Sequence, residues 1–156
     1  MEGCDNTYII RPAIAADLAR IIALLADDPI GSTREDPLVP EAYGATFAAL
    51  KDDPATHLLV AADAGDNVIG YLQMTVTRHL SYRGARRALL EDLRVSASHR
   101  RQGIGRRLVT AATAEARKAG CSIIQLFVHR DRDRARLFYQ GLGFQADHLG
   151  LRFMLS

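Results

Sequence analysis

The first half of the chain alternates between strand-like and helix-like spacing of its apolar residues. Residues 7–11 form a short β-type run, and the apolar residues from Ile14 to Leu25 then recur at the offsets of one helical face. A loop containing glycine and prolines, 30–40, follows, and we expect it to overhang a site. A second amphipathic helix and two strands are predicted next, at 39–50, 56–62 and 68–77, with a hairpin-like turn at Gly65-Asp66-Asn67.

The second half begins with a connection, 78–87, that holds four arginines and is predicted to be long and exposed. A strand at 88–95 follows, and then an amphipathic helix from Ile104 that Gly120 ends. The next elements are a strand at 122–128, a helix capped by Asp131 or Asp133, and one or two final strands within 144–155. The order β-α-α-β-β-β-α-β-α-β predicts a mixed α/β protein.

Composition fits one globular domain. The 156 residues are 48% apolar and 24% charged, which excludes collagen-like, low-complexity and wholly disordered classes. No apolar run approaches the roughly 18 residues that span a bilayer, and no signal peptide is recognised. The two cysteines, Cys4 and Cys121, lie far apart and form no disulfide framework, so we expect a reducing, cytoplasmic setting without a membrane partner.

The net charge of +2 hides a strong asymmetry along the chain. Four basic and 12 acidic residues lie before or at Thr77, whereas 16 basic and 6 acidic residues follow it, so the two parts carry −8 and +10. A basic half of this size suggests an anionic partner, either nucleic acid, a membrane surface or a phosphorylated small molecule.

A glycine-containing segment joins the strand at 88–95 to the next helix. The first N–H groups of a helix lack intrahelical partners and carry partial positive charge, so they suit phosphate oxygens. The alternative is a tight strand-to-helix turn with a solvated basic face. The segment is not a Walker A loop, because the required spacing and the Lys-Ser/Thr pair are missing. It is not a dinucleotide G-x-G-x-x-G either, because Leu108 stands where the third glycine is required. The sequence of this segment is Arg100-Arg101-Gln102-Gly103-Ile104-Gly105.

Two motifs in the second half resemble those of the GNAT N-acetyltransferases. Arg100-x-x-Gly103-x-Gly105 is similar to the loop that holds the pyrophosphate of acetyl-CoA in that family, and Ala135-x-x-x-Tyr139-x-x-x-Gly143-Phe144 is similar to its second hallmark. The resemblance covers nearly the whole chain. It implies a single domain over 7–156, with a mostly antiparallel mixed sheet splayed at strands 4 and 5 and flanked by about four helices.

The resemblance is nearest to a group of small bacterial members that act on amines of small molecules, some of which acetylate aminoalkylphosphonates. It also implies that acetyl-CoA is the cosubstrate, that no metal takes part, and that a homodimer is possible. The cofactor would be held by Leu93, Arg94, Val95, Arg100, Arg101, Gln102, Gly103, Ile104, Gly105 and Arg106. The family often has an asparagine seven residues before its tyrosine, and Arg132 stands at that position here.

Acetyl transfer to an amine requires a proton acceptor, because a primary ammonium is mostly protonated at neutral pH. Two-residue alternation places Leu89, Glu91, Leu93 and Val95 on one face of their strand unless a bulge intervenes, and Glu91 is the polar member. The resemblance places the base at Glu91 or at the position of Leu89, so we choose Glu91. The alternative for Glu91 is an exposed charge or an ion pair with Arg94 or Arg87.

The resemblance also makes Tyr139 the general acid that protonates the departing thiolate, with packing on the helix as the alternative. Two alternative functions are acetylation of a protein or charged-tRNA amine by a member of the same family, and nucleic-acid binding. The absence of a recognised reader motif argues against nucleic-acid binding. The five histidines show no metal-ligand spacing. The identity of the acceptor amine stays open. The early acidic residues are suited to bind a cationic amine, whereas an acidic group on the substrate would suit Arg78, Arg83, Arg86 and Arg87.

Overall fold

A five-stranded mixed sheet organises the fold in the computed structural model, which describes residues 7–155. The strands lie in chain order across the sheet, with antiparallel pairing from the first to the fourth and the fifth parallel to the fourth. The predicted mixed, mostly antiparallel α/β sheet is therefore confirmed. The strands are β1 (Tyr8–Pro12), β2 (Thr56–Asp63), β3 (Val68–Arg78), β4 (Arg86–Val95) and β5 (Cys121–Leu126).

Within residues 7–155 the strands are accompanied by five α-helical segments, one more than predicted, and by four short 3₁₀ segments. The additional one is a single turn between β3 and β4, where Tyr82 and Arg83 have left-handed backbone dihedrals. Because β3 and β4 extend to Arg78 and Arg86, the connection expected at 78–87 is shorter than the sequence suggested. The helices are α1 (Leu18–Ala26), α2 (Gly44–Asp52), α3 (Ser81–Gly84), α4 (Ile104–Lys118) and α5 (Asp133–Gln140).

Helices cover both faces of the sheet. On one face, which we call the α1 face, Val60 and Tyr71 are paired across β2 and β3 and lie in a buried cluster with Leu24 of α1 and Phe47 of α2. On the other, the α4 face, Gly70 lies against α4, where a Cβ would meet Leu108 and Ile104 side-chain atoms at 3.0 and 3.1 Å. A side chain at this position would crowd these two α4 residues, so glycine allows α4 to lie close to the sheet.

An arginine on β1 fastens the beginning of α1 to the sheet. Arg11 donates to both carboxylate oxygens of Asp17 at 2.7 and 3.0 Å, and also to Asp66 in the β2–β3 turn. Asp17 is 5% exposed and accepts the Ile14 N–H at 2.8 Å. Burial alone would raise the pKa of Asp17, but the bonds from Arg11 and Ile14 together hold it below its ordinary value.

The final strands predicted for 144–155 do not form, and that prediction is wrong. This segment follows α5 and carries no regular strand, although its apolar residues alternate with the period of one. A strand is stable only when a neighbouring edge accepts its backbone hydrogen bonds, and alternation in sequence does not supply that edge. Five large apolar side chains of this segment are exposed: Leu149, Leu151, Phe153, Met154 and Leu155.

The chain divides into two compact units, Met1–Gln125 and Leu126–Ser156. The single domain expected over 7–156 stays a prediction. Cys121 is a half-buried free thiol whose pKa is raised by burial, whereas Cys4 lies outside the described residues. Within residues 7–155, no helix is long and apolar enough to cross a membrane.

Candidate active site

A bulge in β4 determines which side chains share a face beside Glu91. Glu91 pairs with Gln73 of β3, but Tyr71, two residues earlier on β3, pairs with Arg94, three residues later on β4. The extra residue is accommodated at Asp92, which has a φ of +56°. Glu91 and Arg94 therefore lie on the α1 face.

The shared face predicted for Leu89, Glu91, Leu93 and Val95 therefore holds only as far as Glu91. Val95 pairs with Gly70 and lies with Leu93 on the α4 face. The bulge is the physical reason, because one additional residue inverts the alternation for the rest of the strand.

Glu91 has an exposed side chain whose carboxylate is nevertheless partly desolvated. Burial by neighbouring protein atoms raises its pKa, and the charge of Asp92 raises it further. Neither ion pair considered from the sequence forms, since Arg94 pairs with Asp28 and Arg87 donates to Ser81. No cation within residues 7–155 forms a salt bridge with Glu91, so this carboxylate is suited to accept a proton.

Two β3 residues beside Glu91 were not assigned a role from the sequence. Tyr71 is 4% exposed, and its hydroxyl donates to Gln73 Oε1 at 3.4 Å. Burial, followed by the charges of Asp92 and Glu91, raises the pKa of Tyr71, so its hydroxyl keeps its proton. The sequence signal that could have indicated these residues is the alternation of β3, which places Tyr71 and Gln73 on one face. Only the register between β3 and β4 shows that they lie beside Glu91.

The segment after β4 has the backbone of an anion-binding loop. Arg101 and Gly103 have φ of +62° and +80°, and Gly103 immediately precedes α4 as its N-cap. A Cβ added at Gly103 would meet no atom within 4 Å, so glycine is required by the dihedral and the space in front of the loop is open. Arg101, Gln102 and Arg106 are exposed around the helix N-terminus, Gly105 is half-buried, and Ile104 is buried beneath it.

Two of the predicted cofactor-binding arginines contact the end of α1. Arg94 is largely buried, with its Nε 3.3 Å from Asp28 Oδ2, and its Nη1 donates to the Leu93 carbonyl. Arg100 Nε donates to the Val95 carbonyl at 3.3 Å, and its Nη2 lies 3.7 Å from Asp27. These contacts link α1 to the end of β4 and the loop before α4.

Asp28 also shapes the beginning of the 30–40 loop. Its Oδ1 accepts the backbone N–H groups of Ile30 and Gly31 at 2.9 and 2.7 Å. Gly31 lies so close to α1 that a Cβ there would approach the Leu25 carbonyl oxygen to 1.9 Å. A cleft of about 490 Å³ lies between α1, this loop and the turn after β4, lined by Arg20, Ala23, Ala26, Asp27, Pro37, Ser96, Ala97 and Ser98.

Tyr139 and Arg132 belong to the second compact unit. Tyr139 lies near the end of α5, and its ring meets the Phe138 and Phe144 rings edge to face at centroid distances of 5.1 and 5.7 Å. Arg132 is the N-cap residue of α5, where Asp131 or Asp133 was expected, and its carbonyl accepts the Arg136 N–H. Aromatic packing thus fixes the Tyr139 ring within this unit.

No group of three or more histidine, cysteine or acidic side chains in residues 7–155 is arranged to hold a metal ion. The family model of the acetyltransferase (GNAT) family matches residues 18–144, which is well over half of the chain. The chain belongs to the GNAT acetyltransferase family. As a GNAT enzyme it is an N-acetyltransferase that takes its acetyl group from acetyl-CoA.

Relatives of known name are similar over most of the chain. Glucosamine 6-phosphate N-acetyltransferase 1 of Oryza sativa subsp. japonica is 34% identical over 76% of this chain and 72% of its own. Aminoalkylphosphonate N-acetyltransferase of Salmonella typhimurium is 28% identical over 89% of this chain and 86% of its own. A solved structure from Bacillus halodurans C-125, described as a transcriptional regulator, is 38% identical, with a TM-score of 0.90 over 96% of this chain and all of that one.

Proposed function

We propose that this GNAT enzyme acetylates the primary amine of a small molecule by direct attack, with Glu91 as the proton acceptor. The observation that carries the proposal is the Glu91 carboxylate: exposed, without a salt bridge among residues 7–155, and raised in pKa. A base must release and take up protons near the working pH, and a raised carboxyl pKa brings Glu91 nearer to that range.

The loop before α4 is proposed to hold acetyl-CoA, which supplies the activated acetyl group. The left-handed Gly103, the open space in front of it and the N-terminus of a 15-residue helix fit a diphosphate. Arg101, Gln102 and Arg106 would surround it, and Ile104 and Gly105 would contribute backbone N–H groups. Leu93, Arg94 and Val95 would contact the pantetheine arm through their backbone.

Tyr139 is proposed as the group that protonates the departing thiolate through its hydroxyl. A phenol with a pKa near 10 holds its proton at neutral pH and can transfer it to a thiolate whose conjugate pKa is near 8.5. Support comes from the motif around Tyr139 and from the aromatic contacts that hold its ring. Arg132 is proposed to contact the cofactor at the position where the family often has asparagine.

Two measurements test the proposal. Acetyl-CoA titrated into the protein in a calorimeter should bind saturably, and Gly103→Val should weaken binding about tenfold or more, because a side chain strains a left-handed residue and enters the phosphate space. Gly44→Ala is the matched control, since it adds a methyl group into equally open space at the start of α2. Failure of the wild-type protein to bind acetyl-CoA would overturn the proposal.

The acceptor is addressed by screening amines for release of free CoA. The two curated relatives are named for glucosamine 6-phosphate and for aminoalkylphosphonates, so phosphorylated and phosphonylated amines are tested first, beside aminoglycosides, polyamines and amino acids. Tyr139→Phe should slow turnover of the amine found much more than it weakens acetyl-CoA binding. Unchanged turnover would remove the acid role.

Nucleic-acid binding is a second candidate, favoured by two observations. The Bacillus halodurans protein is described as a transcriptional regulator, and the residues after Thr77 carry a net +10 here. Binding of this kind would fall steeply with added salt, because phosphate contacts release counterions. A filter-binding titration with duplex DNA at two salt concentrations separates this candidate from the enzyme, which should bind acetyl-CoA and not the duplex at physiological salt.

A further inference from the structure

Four arginines at the β3–β4 hairpin, Arg78, Arg83, Arg86 and Arg87, lie outside the site described above. We call them the hairpin arginines. The sequence between Thr77 and Leu90 contains no acidic residue, and no carboxylate within residues 7–155 forms a salt bridge with any of the four. Arg78 and Arg86 are direct cross-strand partners on the α4 face, where Arg86 Nη1 donates to the Ala119 carbonyl at 2.9 Å. Arg87 lies on the α1 face, and a guanidinium without a carboxylate partner there is suited to an anionic ligand.

Arg87 is the member of this group with a buried donor that lacks an acceptor among the described residues. Its Nη2 donates to Ser81 Oγ at 2.8 Å, and its guanidinium lies 5.0 Å from the centre of the Tyr82 ring. Its Nε is buried, and no acceptor among the described residues reaches it. A buried donor without an acceptor is costly and uncommon in folded proteins, so it requires an explanation. An oxyanion bound beside Ser81 would accept from both Nε and Nη2.

The turn that carries Ser81 and Tyr82 is held in a conformation its residues disfavour. Tyr82, Arg83 and Gly84 have φ of +53°, +61° and +77°, so two residues with side chains are left-handed in succession. This backbone conformation is disfavoured for L-amino acids, and strain of this kind concentrates at ligand sites. Tyr82 is 70% exposed, which leaves its ring free to move from the guanidinium when an anion binds.

The register between β3 and β4 places Arg87 on the same face of the sheet as Glu91, the proposed base. Thr77, Thr75 and Gln73 pair with Arg87, Leu89 and Glu91 without a break, so Arg87 and Glu91 lie on the α1 face of one strand. Four residues separate them, which corresponds to about 13 Å between their Cα atoms at the rise of a β-strand. Side chains of both residues shorten that gap, so one small molecule can place its amine at Glu91 and an anionic group at Arg87.

The cofactor diphosphate does not explain the hairpin arginines. Arg87 and Val95 lie eight residues apart on β4, a separation of about 25 Å, and the loop before α4 begins beyond Val95. An anion at Arg87 therefore belongs to the acceptor. We propose that Arg87, with Ser81, binds a phosphate or phosphonate group of the acceptor and so selects amines that carry one. This inference rests on the proposed function of Glu91 for the position of the amine.

The anion site is tested first without catalysis. Inorganic phosphate is titrated into the isotopically labelled protein at constant ionic strength while backbone amide signals are recorded. Signals of Ser81 to Arg87 should shift in the wild-type protein and in Arg117→Gln, which removes an exposed arginine from the last turn of α4, but not in Arg87→Gln. Shifts confined to residues 100–106, or equal shifts in Arg87→Gln, would overturn the proposal.

Kinetics then test selectivity with glucosamine 6-phosphate and glucosamine, which differ only in the phosphate. The ratio of their kcat/KM values should favour the phosphorylated amine and fall about tenfold or more in Arg87→Gln, the effect of losing a charge-assisted bond to phosphate. Arg117→Gln should keep the wild-type ratio. A ratio that does not change in Arg87→Gln would contradict the specificity role.

The two proposals fail in different ways. If the wild-type protein acetylates no amine and does not bind acetyl-CoA, the proposed function fails, while the phosphate titration still decides whether the hairpin binds anions. If amines are acetylated without preference for an anionic group and phosphate shifts no hairpin signal, the hairpin inference alone is overturned.

Discussion

Two carboxylates on the α1 side of the sheet, Asp17 and Glu91, have opposite surroundings. Asp17 is buried, receives two bonds from Arg11 and one from a backbone N–H, and has a lowered pKa. Glu91 is exposed, forms no salt bridge within the described chain, and has a raised pKa. The fold thus gives hydrogen-bond and ionic partners to Asp17, the carboxylate that stabilises it. It leaves Glu91, which we propose as the catalytic base, without a salt bridge among the described residues.

The largest expected effect is on turnover. Glu91→Gln keeps the shape of the side chain but removes its ability to accept a proton, so kcat should fall about a hundredfold or more. Acetyl-CoA affinity, measured by calorimetry, should change little, because the proposed cofactor loop lies beyond the end of β4. Asp17→Asn, assayed well below its melting temperature, should retain most of the wild-type kcat. A Glu91→Gln enzyme with wild-type turnover would remove Glu91 from the mechanism.

The next effect is on stability at Asp17. Asp17→Asn should lower the free energy of unfolding by about 2 kcal/mol at neutral pH, because Arg11 loses its buried ionic partner. Asp66→Asn is the matched control on the same arginine. Since Asp66 is exposed, its replacement should cost about 0.5 kcal/mol or less in a urea titration. Equal losses of unfolding free energy in the two variants would show that the contribution of Asp17 to stability does not depend on its burial.

The stabilisation from Asp17 should also depend on pH. Its pKa is lower in the folded state than in the unfolded chain, where aspartate titrates near 3.9, so the unfolded state takes up the proton first on acidification. The difference in unfolding free energy between wild type and Asp17→Asn should be full above about pH 4 and vanish as the pH falls through the folded pKa. A difference that persists at lower pH would contradict the ionic account.

The smallest effect has the opposite sign. A carboxyl with a raised pKa is less stable as an anion in the folded state than in the unfolded chain, so ionised Glu91 weakens the fold above its folded pKa. Glu91→Gln should therefore raise the melting temperature slightly at neutral pH, and the gain should diminish as the pH falls towards the unfolded value near 4.3. A destabilised variant would mean that the carboxylate has a structural partner.

Apart from the single turn α3, the sequence predicted the helices and strands through α5 and the loop before α4, because these rest on local signals. The 3.6-residue period marks α1 and α4, and Gly103 is recognisable because a left-handed residue is required before the helix. Alternation marked Glu91 as the polar residue of its strand face, and the family resemblance added the roles proposed for Glu91 and Tyr139.

What the sequence could not predict depends on pairing across the sheet. The bulge at Asp92 reverses the faces of Leu93 and Val95, and no residue type at that position announces it. The partners Tyr71 and Gln73 of the candidate site follow from register alone. The alternation in 144–155 predicted strands that do not form, because a strand also requires an edge to pair with.

The most direct test of the central claim is the pH dependence of kcat/KM for an accepted amine, measured for the wild-type enzyme and for Glu91→Gln. We predict that the wild-type activity rises with pH through an ionisation above the ordinary glutamate value, as Glu91 loses its proton. Glu91→Gln should lose this acid limb as well as most of its activity. An unchanged acid limb in Glu91→Gln would show that another group accepts the proton.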